Sequence, residues 1–168
     1  MIALMIGPEH KNIPEERWIP ESLWRKIISS VPLGCIDVVF QRADRSILYG
    51  FRIILPYKNV WALPGGRILY RENLVGAARR IGNEYGLGFD ELCLIGVFPV
   101  VLGIRSDLTI AVAALGVTGE PQADGKEFSR LTWRITMPHN LGRNYQRILS
   151  KWARARESED FTKLNRLL

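Results

Sequence analysis

An α+β sandwich is the fold class that this sequence predicts, on three observations. Short apolar, β-branched runs recur along the chain. Amphipathic helical patterns sit near its start, its middle and its end. Finally, 168 residues that are 47% hydrophobic and 24% charged have the length and composition of one domain with a real core. No internal repeat, low-complexity tract or linker divides the chain. Residues 1–168 therefore read as a single domain, with an N-terminal arm over 1–18 and a charged tail over 158–168.

The elements follow in order. Ile19-Pro20-Glu21-Ser22, leading to Leu23, Trp24, Ile27 and Ile28, has a proline in the first turn and the apolar spacing of an amphipathic helix that ends near Val31-Pro32. Cys35 to Gln41 is apolar and β-branched, Asp44-Arg45-Ser46 is a turn signal, and Ile47 to Leu55 resumes the strand pattern, which predicts a hairpin. After a loop over Pro56 to Asn59, a short strand over Val60 to Leu63 runs into Pro64-Gly65-Gly66. A helix is expected from about Leu74 to Tyr85, then strands over Leu92 to Leu102 and Leu108 to Val117, separated by Gly103 to Asp107. Glu120 to Glu127 is a polar loop, Leu131 to Thr136 a strand, and Asn140 to about Glu157 a long helix.

Composition narrows the function classes. No segment approaches the roughly 18 apolar residues of a membrane span, and the apolar start is too short for a signal peptide. The expected location is cytoplasmic, with no membrane partner. Cys35 and Cys93 each sit in an apolar run, as buried free thiols do in a reducing compartment. Net charge is +6 and arginine-rich, which suits an anionic ligand bound by bidentate guanidinium contacts. The plainer reading is a solvated basic face on the last helix at Lys151, Arg154 and Arg156. Outside that helix no stripe of basic and aromatic residues suggests nucleic acid, so none is expected as a partner.

The most informative stretch is residues 63 to 87, L-P-G-G-R-I-L-Y-R-E-N-L-V-G-A-A-R-R-I-G-N-E-Y-G-L. Gly65 and Gly66 are expected to turn the backbone tightly; taken alone, Pro64-Gly65-Gly66 is simply a turn. Arg80 and Glu84 stand at i, i+4 on the helix, where they can form an ordinary surface pair. The order of these residues resembles the Nudix box, with Gly66, Glu72, Arg80, Gly86 and Leu87 in their places. The acid-rich stretch departs from that pattern: Arg80-Ile81-Gly82-Asn83-Glu84-Tyr85-Gly86 is one residue short and keeps one acid. Four further stretches extend the resemblance over about residues 19 to 152: Ile19-Pro20-Glu21-Ser22-Leu23-Trp24, Val31-Pro32-Leu33-Gly34-Cys35-Ile36-Asp37, Trp61-x-Leu63-Pro64-Gly65-Gly66-Arg67, and Met137-Pro138-His139-Asn140-Leu141. Together they are similar to the GDP-mannose mannosyl hydrolase branch of Nudix enzymes.

That resemblance implies a Nudix-fold α/β/α sandwich with a mixed sheet, and a set of roles. The Gly65 carbonyl, Glu84 and Glu127 would be metal ligands for Mg²⁺, with Mn²⁺ as the alternative ion. Glu72 and Arg80 would brace the loop against the helix, with Gly66 and Gly86 as structural positions. Arg52 and Arg67 would contact phosphate, and Asp37 the nucleotide end. Catalysis would rest on Arg52, Arg67 and Glu127. Glu84 falls on the first of the family's paired glutamates counting from Arg80 and on the second counting back from Gly86, positions about 100° apart around a helix; Gly82 could allow a bulge that decides between them. Phe128 stands where the branch keeps its catalytic histidine, and His10 and His139, the chain's two histidines, do not fit that place.

The implied reaction is metal-assisted hydrolysis of a nucleoside diphosphate sugar, weakened by the missing histidine and acids: water attacks the anomeric carbon, GDP leaves and the sugar is inverted. The alternatives are attack at phosphorus of another nucleotide diphosphate derivative, and an inactive nucleotide-binding module. A homodimer is compatible with all three.

Overall fold

In the computed structural model, residues 19–157 and 166–168 are described. The arm over 1–18, with His10, and most of the tail lie outside the described residues.

Three helices and seven strands follow one another as α1 (Glu21–Ser30), β1 (Leu33–Phe40), β2 (Ile47–Arg52), β3 (Trp61–Ala62), β4 (Gly65–Arg67), α2 (Leu74–Glu84), β5 (Glu91–Leu102), β6 (Arg105–Leu115), β7 (Phe128–Arg134) and α3 (Arg143–Ala155). The strands form a four-stranded mixed sheet in the order β4-β1-β6-β5 and a three-stranded sheet in the order β3-β2-β7. Only β1 and β6 run parallel. β1 is buried on both faces, as a strand between two helical layers must be. On one face α2 packs over β1 and β4, with Gly82 beside the Phe40 ring. On the other, Trp152 of α3 is buried and its Nε1 donates to Gln41 Oε1 at 2.9 Å. The result is the expected α/β/α sandwich.

The hairpin predicted over Cys35 to Leu55 does not form. β1 and β2 share only a bridge between Gln41 and Ile47, and then enter different sheets. A strand has two hydrogen-bonding edges, and β4 and β6 take both edges of β1. The turn is nevertheless real: Asp44 Oδ1 accepts from the Ser46 amide and hydroxyl, and Arg45 is left-handed at φ 68°. β2 stops at Arg52, after a register shift next to Phe51, so the expected strand end at Leu55 is instead exposed loop. β5 and β6 form a hairpin, with Arg105 and Asp107 inside β6 rather than in the connection. At the outer edge of β5, Arg166 bridges to Cys93 and the Leu167 amide donates to the Leu92 carbonyl at 2.7 Å.

α2 forms because its apolar residues fall on one stripe, Ala77, Ala78, Ile81 and Gly82 being buried. Asn73 caps its start, its Oδ1 accepting from the Gly76 amide at 2.8 Å. Its end is a Schellman closure: Leu87 N–H bonds the Gly82 carbonyl at 2.9 Å and Gly86 N–H the Asn83 carbonyl at 3.1 Å. That closure requires a left-handed residue, and Gly86 supplies it at φ 74°. Gly86→Ala is therefore expected to destabilise the protein by about 1–2 kcal/mol, measured as a lower urea midpoint at unchanged slope.

Candidate functional site

The expected turn at Gly65-Gly66 is not what the glycines provide. Both are extended in β4, with Gly65 opposite Asp37 and Gly66 opposite Ile36. Gly65 is needed because of a close approach: a methyl group there would collide with Asp37 Oδ1 and lie 2.6 Å from the Ile36 carbonyl. The hydrogen-bonded pairs of this ladder are in the phase of positions 64 and 68, with Val38 N–H to the Pro64 carbonyl and Ile68 N–H to the Gly34 carbonyl. Antiparallel pairing alternates, so the Gly65 carbonyl points away from β1. Because β4 is an edge strand, that oxygen faces out of the sheet.

Strand alternation puts the site on both faces of β4. On the α2 face, Arg80 gathers three partners. Its Nε and Nη2 donate to the two oxygens of Glu72 at 2.8 and 2.9 Å, Nη2 also reaches the Arg67 carbonyl at 2.9 Å, and Nη1 meets Glu84 at 3.1 Å. Burial pushes the Glu72 carboxyl up, but hydrogen bonds from Arg80 and the Leu69 amide outweigh it and hold it below the usual range. Hydrogen bonding to Glu72 likewise raises Arg80 against the effect of its burial. The pair is partly buried and bidentate, so it ties the loop, the strand and the helix into one unit. α2 runs as an α-helix through Gly82 with no bulge, leaving Glu84 on the same face as Arg80.

The opposite face carries Asp37, with Arg52, Tyr57 and Tyr145 around it. Arg52 Nη1 is paired with Glu127 and its Nε donates to the Pro56 carbonyl at 2.7 Å. The Tyr57 and Tyr145 rings lie 5.8 Å apart. Glu127 is presented by an Asp124 turn, in which Asp124 Oδ1 accepts from the amides of Lys126, Glu127 and Phe128. Burial pushes the Asp37 carboxyl up to about 7 despite the opposing charge of Arg52.

Arg67, two residues along β4 from Gly65, stacks on Trp24 of α1 at 4.7 Å. It is partly buried and has no carboxylate partner among the described residues. Burial and the neighbouring Arg105 both lower its pKa. Sequence reading missed Arg105 and Asp107, whose bidentate pair at 2.6 Å closes this end of the face beside Cys35. Burial, then Asp107, push the Cys35 thiol up to about 11. Cys35 and Cys93 are both buried thiols. Tyr57, Tyr145 and Asp124 were missed as well; each joins the site from a segment distant in sequence.

Phe128 does not face the site. It is fully buried, its ring against Gly50 and 5.6 Å from that of Tyr85. An apolar residue opening a strand fills the core, so position 128 cannot stand in for a solvent-facing histidine. His139 is exposed.

As folded, the oxygen donors do not fit a metal ion held by the protein alone. The Gly65 carbonyl faces outward, but Glu84 is engaged by Arg80 and Glu127 by Arg52. Among the described residues, no three His, Cys, Asp or Glu side chains gather to hold a metal. No helix among them is long and apolar enough to cross a membrane.

The raised Asp37 carboxyl gives a signed expectation. Its ordinary value is 3.8 and its folded value about 7, so between these the folded protein keeps a proton that the unfolded chain has released. Stability therefore falls as pH rises from about 4 to about 7. Asp37→Asn should flatten that fall and leave the protein more stable than wild type at pH 8, read from urea melts across the range.

No protein-family model matches the chain. The low-salt glycan biosynthesis protein Agl8 of Haloferax volcanii is 38% identical over 72 residues, 43% of this chain and 45% of that protein, so the match spans less than half of the relative. Among solved structures, a MutT Nudix hydrolase of Burkholderia pseudomallei is similar over 73% of this chain and 98% of its own, with 21% identity and a TM-score of 0.67. The Nudix domain of Shewanella oneidensis NrtR, solved with ADP ribose, covers 92% of this chain and 100% of its own, with 19% identity and a TM-score of 0.64. At those identities the likeness concerns architecture: this chain has the fold of the Nudix hydrolases.

Proposed function

We propose that the chain binds a nucleoside diphosphate sugar, GDP-mannose-like, along the Asp37 face of β4, and hydrolyses it weakly. The observation that carries this reading is Arg67: a partly buried guanidinium beside the glycine pair, without an acid partner among the described residues. A cation held partly away from bulk water gains most from an anion that can accept several N–H donors, as a diphosphate can. Arg52 offers a second guanidinium, and Asp37 with Tyr57 and Tyr145 offers hydrogen-bonding and ring contacts for the nucleoside end. An ADP-ribose complex of a protein with the same fold supports a nucleotide diphosphate ligand. Likeness to a protein named for glycan biosynthesis supports a sugar on it.

Weak turnover follows from what surrounds the acids. Glu84 and Glu127 are held by arginines, and no histidine stands at the place of the base. Loss of a positioned base lowers a rate by roughly 10²–10⁴-fold. No step is routed through a resident ion; Mg²⁺, or Mn²⁺, enters this proposal only as the counter-ion that a diphosphate carries with it. The paired acids and the buried Phe128 also support a second reading, binding without turnover.

Arg67→Ala should weaken GDP-mannose binding, measured by titration calorimetry, roughly ten- to hundredfold, the range for losing charge-assisted hydrogen bonds. Unchanged affinity would remove Arg67 from the site and the proposal with it. Hydrolysis in ¹⁸O-labelled water should put the label on the free sugar and leave GDP unlabelled. Label on phosphate would assign attack at phosphorus, and binding with no product after prolonged incubation would leave the binding role alone.

A further inference from the structure

The exposed side of α3 carries a charge pattern that the nucleotide cleft does not use. Arg143, Arg147, Lys151 and Arg154 line a groove of about 550 Å³ between α3 and β5, with the Phe98 ring at its wall. Every titratable residue lining this groove is a cation. None of the four has a carboxylate partner among the described residues.

Isolated in this way, the arrangement opposes the helix that bears it. Arg143 and Arg147, and Arg147 and Lys151, are like charges at i, i+4, a spacing that destabilises a helix. Arg143 opens α3, where the positive end of the helix dipole disfavours a cation, and the first turn contains neither an acid nor a side-chain cap. Two of the cations are nevertheless held in place. Arg147 lies 5.9 Å and Lys151 5.7 Å from the Phe98 ring centre, and the Lys151 ammonium rests against Gly96 in the irregular part of β5. Positioned cations with no internal counter-charge, along one open groove, fit a multivalent anion.

We propose that the α3–β5 groove is a second anion site, which binds a linear oligophosphate through Arg143, Arg147, Lys151 and Arg154. It is separate from the Asp37 face of β4: Tyr145, which lies by Asp37, is buried on the inner side of α3, whereas the four cations are exposed. Consecutive phosphates suit it better than a single one, because cations a helical turn apart can each meet a different phosphate.

The test is calorimetric titration of tripolyphosphate into the full chain at 150 mM salt, for wild type, Arg147→Gln/Lys151→Gln, and Arg67→Ala. The double variant should lose at least about tenfold in affinity, while Arg67→Ala should retain this binding. Equal binding by wild type and the double variant would overturn the proposal, as would loss confined to Arg67→Ala, which would assign the anion to the nucleotide cleft. A single-stranded oligonucleotide of matched charge that binds more tightly than tripolyphosphate, with the same loss in the double variant, would overturn the choice of ligand in favour of a nucleic-acid strand. Arg143→Glu supplies a measurement that does not depend on finding the ligand. It should raise the melting temperature of the free protein while abolishing stabilisation by tripolyphosphate. A fall in melting temperature would mean that the groove is not under the strain argued here.

Discussion

The Arg80 guanidinium is the contact on which the site's geometry depends. It binds both oxygens of Glu72, the backbone carbonyl of Arg67 and the carboxylate of Glu84, so one planar group spans the loop, the edge strand and the helix. β4 is three residues long and paired along one edge only. So short an edge strand has little hold of its own; Arg80 fixes the carbonyl of its last residue and thereby the direction of the Arg67 side chain on the opposite face. Lysine could not replace it, because a single ammonium lacks the fork that reaches strand and loop together.

The same arrangement bears on the weak turnover proposed for this chain. Glu84 and Glu127, the two carboxylates expected to hold a metal, are each held by an arginine. A charge already neutralised is less available to a metal or a proton, whereas Arg67 is left to meet a ligand from solution. The proposed preference for holding an anion over activating water rests on this balance.

How much of this was legible in the sequence depended on the range of the interaction. α2 and α3 could be read because their apolar stripes repeat within one segment, and Glu72 and Arg80 because the box fixes their spacing. The β1–β2 hairpin was misread because local apolar runs do not say which edge of a strand another strand will claim; β6, some 70 residues later, claims one edge of β1. The reason for Gly65 was hidden for a similar cause: its neighbour Asp37 is brought to it by strand pairing, not by sequence. Phe128 looked like a vacant catalytic place by counting, yet a core position in the fold decides its direction. Arg105 and Asp107 read as a loop, because their charges masked a strand whose inner side is polar.

The residues that pair with the outer edge of β5 have a consequence of another kind. Arg166 bridges Cys93, Leu167 donates to Leu92, and Arg166 also holds Glu91 at 2.6 Å, so this segment lies where a further strand would otherwise dock. An uncovered edge of that length, continuing into apolar Val97 and Val101, is a template for another chain's backbone. Arg166 and Leu167, which touch none of the residues around Asp37, therefore bear on whether the molecule stays apart from its own copies at high concentration, a property that selection can tune without altering the Asp37 face.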